Sequence, residues 1–237
     1  MRAVEAVPSA IRPFRNAARR LIVGATALLA CGILVVAPTP GAIPSAAAAP
    51  CPDVEVVFAR GTDEPPGIGR VGQALVSALQ SQVEGRSIST YGVNYPATYD
   101  FLAAADGAAD ASAQIVAMAQ QCPATRFVLG GYSQGAAVVD MLVGIPPLGN
   151  KVGDIGSAPP LPANVAGNVA AIAVFGNPAT KFGNPVSAAG SPYGGRAIDL
   201  CSDGDPICSR GRNPFAHKNY EGNGMPGQAA AFVAGLI

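Results

Sequence analysis

The stretch that decides the fold is residues 126–143, which read RFVLGGYSQGAAVVDMLV. Its first part, residues 126–129, predicts a short buried strand, and residues 134–143 predict a helix. Between them, Gly131-Tyr132-Ser133-Gln134-Gly135 matches the pattern G-x-S-x-G. A sharp turn of this kind between a strand and a helix is typical of a nucleophile elbow, because glycines let the backbone bend and neighbouring chain approach closely. Ser133 is therefore the candidate nucleophile.

Predicted strands and helices alternate along the rest of the chain. Short apolar runs predict strands, and apolar residues at helical spacing predict helices. The further strands are expected at residues 54–59, 88–93, 169–175 and 196–200, and the further helices at 71–83, 103–121 and 227–237. This order predicts an α/β fold with a central, mostly parallel sheet that is flanked by helices. Residues 144–167 hold five prolines without periodicity and are interpreted as a surface loop or insertion.

Residues 1–49 differ in character from the rest. Five arginines and one glutamate precede an apolar run at residues 21–36, and small residues follow up to Ala49. This order predicts a secretory signal peptide that is cleaved after a site such as Ala47 to Ala49. The apolar run is shorter than the roughly 20 residues that span a membrane, so no integral span is expected after cleavage. Acylation of Cys31 and a twin-arginine export route stay open as alternatives.

Cleavage would leave residues 50–237 as one domain that is long enough to bury a core. Removing the five arginines and one glutamate of the signal leaves 10 basic and 14 acidic residues, a net charge of −4. That balance favours neither nucleic acid nor an anionic membrane surface as a partner. We expect a secreted monomer, with residence in the medium or the cell wall left open.

Four cysteines remain after cleavage, and an even number in an exported protein predicts two disulfides. They are Cys51, Cys122, Cys201 and Cys208, and four cysteines allow three pairings. No two of them have the C-x2-C spacing of a zinc site, so no metal is expected. No organic cofactor is implied either.

A serine nucleophile needs a base and an acid, which follow it in the chain order serine, acid, histidine. His217 is the only histidine in the sequence, so it is the candidate base. The acid is expected in the segment from Cys201 to Cys208, which contains Asp203 and Asp205. The pattern alone does not choose between these two aspartates.

Two further groups are expected beside the nucleophile. The backbone N–H of Gln134, at the start of the predicted helix, is a candidate oxyanion donor, and Thr62 in the loop after the first strand is the second. The predicted walls of an apolar substrate groove are aromatic residues from two short segments, neither long enough to form a lid. They are Tyr95, Tyr99, Phe101 and Phe215.

Taken together, these motifs resemble the cutinase family, and within it the secreted cutinase-like esterases of the mycobacterial type. The resemblance covers nearly all of residues 51–237. It rests on four motifs: Ala59-Arg60-Gly61-Thr62, Cys122-Pro123, the run from Gly130 to Ala137, and the segment from Cys201 to Cys208. The family often has serine at the position of Thr62. The segment 144–167 is also longer than the corresponding segment of compact fungal members.

The resemblance implies a small α/β-hydrolase without a lid domain, and it implies residue roles. It places the nucleophile at Ser133, the acid at Asp205, the base at His217 and the oxyanion donors at Thr62 and Gln134. It also implies the disulfide pairs Cys51–Cys122 and Cys201–Cys208.

The activity implied is hydrolysis of carboxylic esters through an acyl-enzyme. The short predicted groove and the lack of a lid favour soluble esters with acyl chains of roughly C4 to C8, without interfacial activation. Acyl transfer to an envelope sugar or lipid, phospholipase action, and a catalytically weak binding or antigenic protein stay open as alternatives.

Overall fold

The computed structural model describes residues 50–148 and 155–237, and its framework is one sheet of five parallel strands. The predicted signal peptide, residues 1–49, lies outside the described residues. The strands are β1 Val54–Ala59, β2 Ile88–Gly92, β3 Arg126–Tyr132, β4 Val169–Phe175 and β5 Ala197–Leu200. The prediction of a central parallel sheet flanked by helices is confirmed.

Seven α-helices connect or follow these strands in the described part of the chain. They are α1 Gly69–Gln80, α2 Ala104–Gln121, α3 Gln134–Leu142, α4 Ala163–Ala166, α5 Pro178–Lys181, α6 Pro214–His217 and α7 Met225–Ala234. The four predicted helices correspond to α1, α2, α3 and α7, with ends that differ by a few residues. The one-turn helices α4, α5 and α6 are too short to produce a periodic apolar pattern.

The order of the strands across the sheet is β2-β1-β3-β4-β5. The chain therefore leaves β1 toward one edge and then crosses back to build the other half from β3 onward. In open parallel sheets, this switch point opens a crevice at the carboxyl ends of the strands, where ligands bind. Here the crevice lies between the ends of β1 and β3, so the loop after Ala59 meets the turn after Tyr132.

Two apolar cores cover the two faces of the sheet, because side chains of one strand alternate between faces. On β1, Val57 joins the core beneath α2 and α3, whereas Val56 and Phe58 join the core beneath α1 and α7. Leu75 of α1 and Ile115 of α2 are fully buried and anchor their helices to opposite faces. All six residues of β1 are buried, as expected for a central strand.

One predicted strand boundary and the interpretation of one segment need correction. Strand β3 continues to Tyr132 rather than ending at Leu129, because its last three residues still pair with Ala173 to Phe175 of β4. The segment 144–167 is more than a surface loop: Ile155, Leu161 and Val165 are buried against the core beneath α2 and α3, and α4 ends the segment. Residues 149–154 of this segment lie outside the described residues.

A disulfide between Cys51 and Cys122 joins the chain just before β1 to the end of α2, with 5.6 Å between the Cα atoms. This pairing agrees with the one that the resemblance implied. It lies at the amino end of β1, at the opposite end of the strand from the crevice. Among the described residues, no helix combines the length and the apolar character needed to cross a membrane.

Candidate active site

Ser133 occupies the sharp turn between β3 and α3, with φ 56° and ψ −116°. A positive φ is unfavourable for a residue with a side chain and costs on the order of 1–3 kcal/mol. The turn is held by the Ser133 N–H, which donates to the carbonyl of Phe175 at the end of β4 over 2.9 Å. The serine is thus presented at the carboxyl edge of the sheet, partly exposed.

The two glycines of the elbow are required by close approach. A Cβ atom at Gly131 would lie 2.2 Å from the carbonyl oxygen of Gly135, and one at Gly135 would lie 1.9 Å from the carbonyl oxygen of Ala59. Both contacts are with backbone atoms, which cannot move aside as a flexible side chain could. The glycines therefore allow α3 to start directly against the end of β1, beside the loop that carries Thr62.

His217 lies at the end of the one-turn helix α6 and contacts both predicted partners. Its Nε2 atom is 2.9 Å from Ser133 Oγ, and its Nδ1 atom is 2.7 Å from Asp205 Oδ2. Because an ionised carboxylate only accepts hydrogen bonds, Nδ1 carries the proton, and Nε2 is left to accept the serine hydroxyl. The imidazole also packs on the ring of Tyr132, whose hydroxyl donates to the His217 carbonyl over 2.6 Å.

Asp205 is fully buried, and its carboxylate accepts three hydrogen bonds, one of them from the histidine. Oδ1 accepts the N–H of Ile207 over 2.7 Å, and Oδ2 accepts both His217 Nδ1 and the hydroxyl of Tyr220, each over 2.7 Å. Burial alone would raise the pKa of Asp205, but these hydrogen bonds outweigh it and hold the pKa below its usual value. Asp205 is therefore charged at neutral pH.

The sequence pattern did not show which of the two aspartates contacts the histidine, and the structure distinguishes them. Asp203 is exposed and lines a second pocket, whereas Asp205 touches the imidazole. A disulfide between Cys201 and Cys208 closes the loop that carries both, with 5.8 Å between the Cα atoms. This is again the pairing that the resemblance implied.

Thr62 and Gln134, the two predicted oxyanion donors, line one cleft together with Ser133. The Thr62 hydroxyl donates to the side-chain oxygen of Gln134 over 3.2 Å. The Gln134 N–H occupies the first position of α3, where it has no partner within the helix. In the described part of the chain, no acceptor is bonded to the Thr62 N–H. Among the described residues, neither backbone N–H is therefore committed to another acceptor.

The loop that carries Thr62 is held by Arg60, a buried side chain whose partners are backbone carbonyls. The guanidinium donates to the carbonyls of Glu64, Val93, Tyr95 and Pro96 over 2.6 to 3.3 Å. The Glu64 carboxylate in turn accepts the N–H of Gly61 over 2.7 Å. These bonds were not predicted from the sequence, because an arginine after a strand has no distinctive signal for carbonyl binding.

Ser133 and His217 open into a cleft of about 660 Å³. Its apolar wall is formed by Tyr99, Phe101, Leu148, Ile155, Pro178 and Ile207. Tyr99 and Phe101 were predicted here, whereas Leu148, Ile155 and Ile207 were missed. Leu148 and Ile155 belong to the aperiodic segment 144–167, whose pattern gave no reason to assign them to a site.

The prediction that Tyr95 lines the groove is wrong. Its side chain is 4% exposed, and its hydroxyl donates to the Arg60 carbonyl. Its ring also packs against the Arg60 guanidinium, 5.1 Å from the ring centroid. Tyr95 therefore supports the Thr62 loop from inside the core.

The prediction for Phe215 also needs correction. The ring is 77% exposed, so it is not buried, but it lies on the outer side of α6. There it lines a second pocket of about 560 Å³ together with Asp203, Asn213, Lys218 and other polar residues. Lys218 follows the histidine and lines both the cleft and this second pocket.

The family model described as Cutinase matches residues 50–237. Phospholipase Culp4 of Mycobacterium tuberculosis (strain ATCC 25618 / H37Rv) is 53% identical over 222 residues, which cover 94% of each chain. Carboxylesterase Culp1 of Mycobacterium bovis (strain ATCC BAA-935 / AF2122/97) is 44% identical, covering 86% of this chain and 89% of Culp1.

Among solved structures, the chain is similar to a Trichoderma reesei cutinase in complex with a C11Y4 phosphonate inhibitor. The TM-score is 0.61 and the sequence identity 33%, over 79% of this chain and 77% of that one.

Loss of the Cys51–Cys122 disulfide should affect stability more than activity, whereas loss of the Cys201–Cys208 disulfide should affect activity more than stability. Replacing Cys51 and Cys122 by alanine opens a long loop, with a sequence separation of 71, and should lower the free energy of unfolding by about 4 kcal/mol while activity persists. Replacing Cys201 and Cys208 opens a loop with a separation of 7 and should cost only about 2.5 kcal/mol. It should nevertheless reduce kcat at least about tenfold, because the Asp205 loop is released.

The measurement combines urea unfolding with hydrolysis of nitrophenyl butyrate at a temperature where both variants are folded. Equal loss of activity in the two double variants would contradict this prediction.

Proposed function

Because this chain belongs to the cutinase family and is a carboxylic ester hydrolase, we propose that it is a secreted serine esterase for short to medium acyl chains. Its nucleophile is Ser133, its base His217 and its acid Asp205. The observation that carries the proposal is one continuous chain of hydrogen bonds, from Asp205 Oδ2 through both imidazole nitrogens to Ser133 Oγ.

The reaction follows from the direction of these bonds. His217 Nε2 takes the hydroxyl proton as Ser133 Oγ attacks the ester carbonyl, and the imidazolium that forms is stabilised by Asp205. His217 then gives this proton to the departing alcohol, which leaves an acyl-serine. A water molecule repeats the sequence: it loses a proton to His217, attacks the acyl carbon, and releases the acid as Ser133 regains its proton.

The negative oxygen of each tetrahedral intermediate needs preorganised donors. The Thr62 and Gln134 N–H groups and the start of α3 supply them in this proposal. Arg60 and Glu64 fix the Thr62 loop before substrate arrives, so little reorganisation is needed during the reaction. The Thr62 hydroxyl is engaged by the Gln134 side chain in the free enzyme, so the backbone groups are the main donors.

Secretion is part of the proposal and is supported by two observations of different kinds. Two disulfides fit a protein that folds in an oxidising compartment. The order of basic, apolar and small residues at positions 1–49 is that of a signal peptide.

Replacement of the nucleophile tests the proposed mechanism. Ser133→Ala should lower kcat by several powers of ten with the fold intact, because the three residues act as a unit. Asp205→Asn should cost at least about a hundredfold in kcat, and the matched change Asp203→Asn should cost less than about threefold. Steady-state kinetics with nitrophenyl butyrate and a circular dichroism spectrum give the answer. A Ser133→Ala variant that keeps a tenth of the activity would refute the assignment.

The acyl group is proposed to lie along the apolar wall of the cleft. Tyr99 is 74% exposed and Phe101 43% exposed, with their ring centroids 6.3 Å apart in an edge-to-face arrangement. These rings and Ile207 form a short apolar surface beside Ser133, which suits an acyl chain of modest length. Because Ser133 is partly exposed, the ester can enter directly from water.

A nitrophenyl ester series on the purified protein should show the highest kcat/KM at roughly C4 to C8. Tyr99→Ala should reduce the advantage of C8 over C2 at least about threefold and leave the melting temperature nearly unchanged, because this side chain is exposed. The rate with tributyrin should rise smoothly through its solubility limit. A sharp increase where droplets form would indicate a lid and contradict this part of the proposal.

A second candidate function is phospholipase action, the activity for which the relative Culp4 is named. The observation in its favour is Lys218, an exposed cation beside the base, to which no described residue is paired. By contrast, Arg70 in the same cleft is paired with Glu64 and Glu221. Since His217 protonates the leaving oxygen and Lys218 lines the same cleft, we expect Lys218 to meet a phosphodiester headgroup on the departing alcohol.

Charge selection can be measured with monomeric dihexanoyl phosphatidylglycerol and neutral dihexanoylglycerol at low ionic strength. Lys218→Gln should reduce the ratio of the two rates at least about fivefold, because a charge-assisted contact to phosphate is lost. Arg86→Gln, which removes a cation near the amino end of β2, is the matched control and should leave the ratio unchanged. An unchanged ratio in Lys218→Gln would exclude a headgroup contact at this residue.

A further inference from the structure

We propose that Tyr220 is a positioning residue that shares one carboxylate oxygen of Asp205 with His217 and so sets the pH at which His217 gains its proton. The inference rests on the roles proposed for Ser133, Asp205 and His217. It assigns a function to a side chain three residues beyond the base, for which the sequence gave no signal.

The contacts of the Tyr220 hydroxyl favour one acceptor for its proton. The Tyr220 hydroxyl oxygen accepts the N–H of Ser202 over 3.0 Å. It also lies 3.4 Å from Cys208 Sγ, but a disulfide sulfur is only a weak acceptor and lies farther away than the charged carboxylate. The one hydroxyl proton is therefore donated to Asp205 Oδ2, 2.7 Å away.

The position of this phenol is fixed by burial and ring packing. Tyr220 is 0% exposed. Its ring packs edge-on against Phe175, with centroids 6.0 Å apart, and against the imidazole of His217, with centroids 6.1 Å apart. Burial, followed by the hydrogen bond to Asp205, raises the pKa of Tyr220 far above its usual value, so the phenol stays a donor across the working pH range.

Two donors compete for the same oxygen. Asp205 Oδ2 receives the phenol and the imidazole Nδ1 at equal distances of 2.7 Å. Negative charge that is stabilised by the phenol is less available to stabilise an imidazolium. Without the hydroxyl, Asp205 should hold the protonated form of His217 more strongly. The imidazole would then remain protonated, and unable to act as a base, up to a higher pH.

Other charged and titratable groups surround the Asp205–His217 pair. Asp205 Oδ1 accepts a backbone N–H. Lys218 follows His217 in the chain, and Asp203 lies two residues before Asp205. From the other elements, Tyr132 of β3, Arg70 of α1, Glu64 and Glu221 face the same region. Among the described residues, only His217 and Tyr220 donate to Oδ2, so Tyr220 is the direct competitor.

The test follows the imidazole directly, because His217 is the only histidine in the chain. In protein purified without a histidine tag, the Cε1–H resonance reports the titration of this residue alone. Tyr220→Phe keeps the ring and removes the hydroxyl. The midpoint should move to higher pH by about half a unit to one unit, and the acidic limb of kcat/KM should move with it. The plateau rate at high pH should change by less than about threefold.

Tyr132→Phe is the matched control, since this phenol also touches His217 but donates to its backbone carbonyl instead of to Asp205. Its midpoint should move by less than about 0.3 unit. A shift of less than about 0.3 unit in Tyr220→Phe, or a downward shift, would overturn the proposal. So would a fallen plateau with an unmoved midpoint, which is the result of a merely structural role.

If Tyr220→Phe does not fold, incorporation of 3-fluorotyrosine at position 220 decides the question. The fluorinated phenol keeps its shape and its proton but is a stronger donor, so the midpoint should move to lower pH. An unmoved midpoint would again overturn the role of Tyr220. None of these titrations depends on catalysis, so their failure is distinct from retention of activity in Ser133→Ala, which would remove the proposed function itself.

Discussion

The strained turn at Ser133 is the constraint on which the rest of the structure depends. A serine with φ 56° persists only if its surroundings hold the backbone in place, and here β3, β4 and α3 do so together. The contact between Gly135 and the end of β1 then brings the Thr62 loop to the same point. The nucleophile and the oxyanion donors are therefore positioned by the central strands of the sheet, which are its most buried part.

The acid and the base are carried by short segments outside the sheet. Asp205, His217 and Tyr220 lie within sixteen residues of one another, in loops and a one-turn helix after the last strand. A short disulfide ring, a buried phenol and three hydrogen bonds to Asp205 replace the rigidity that a sheet would give. The site thus joins a nucleophile fixed by long-range packing to an acid–base pair fixed by local contacts.

The sequence identified catalytic candidates where the chemistry requires a residue type or a turn that the chain offers at very few positions. The G-x-S-x-G pattern required a turn, and a single histidine left one base, so Ser133 and His217 could be named before the fold was known. Tyr220, Tyr95 and Phe215 show the limit of such reasoning, because nothing in the pattern tells whether an aromatic side chain lies in a core, in a cleft or in solvent. Tyr95 lies inside because it is a partner of Arg60, a contact that only the folded chain creates.

Arg60 has one more consequence, for what acid does to this protein. A guanidinium keeps its charge at any pH that a folded protein tolerates, and backbone carbonyls do not titrate. The four bonds that hold the Thr62 loop are therefore insensitive to protons, whereas the Asp205–His217 pair responds to them directly. Mild acidification should protonate His217 and leave the oxyanion donors in place, so that inactivation is a rapidly reversible gain of one proton rather than a loss of structure.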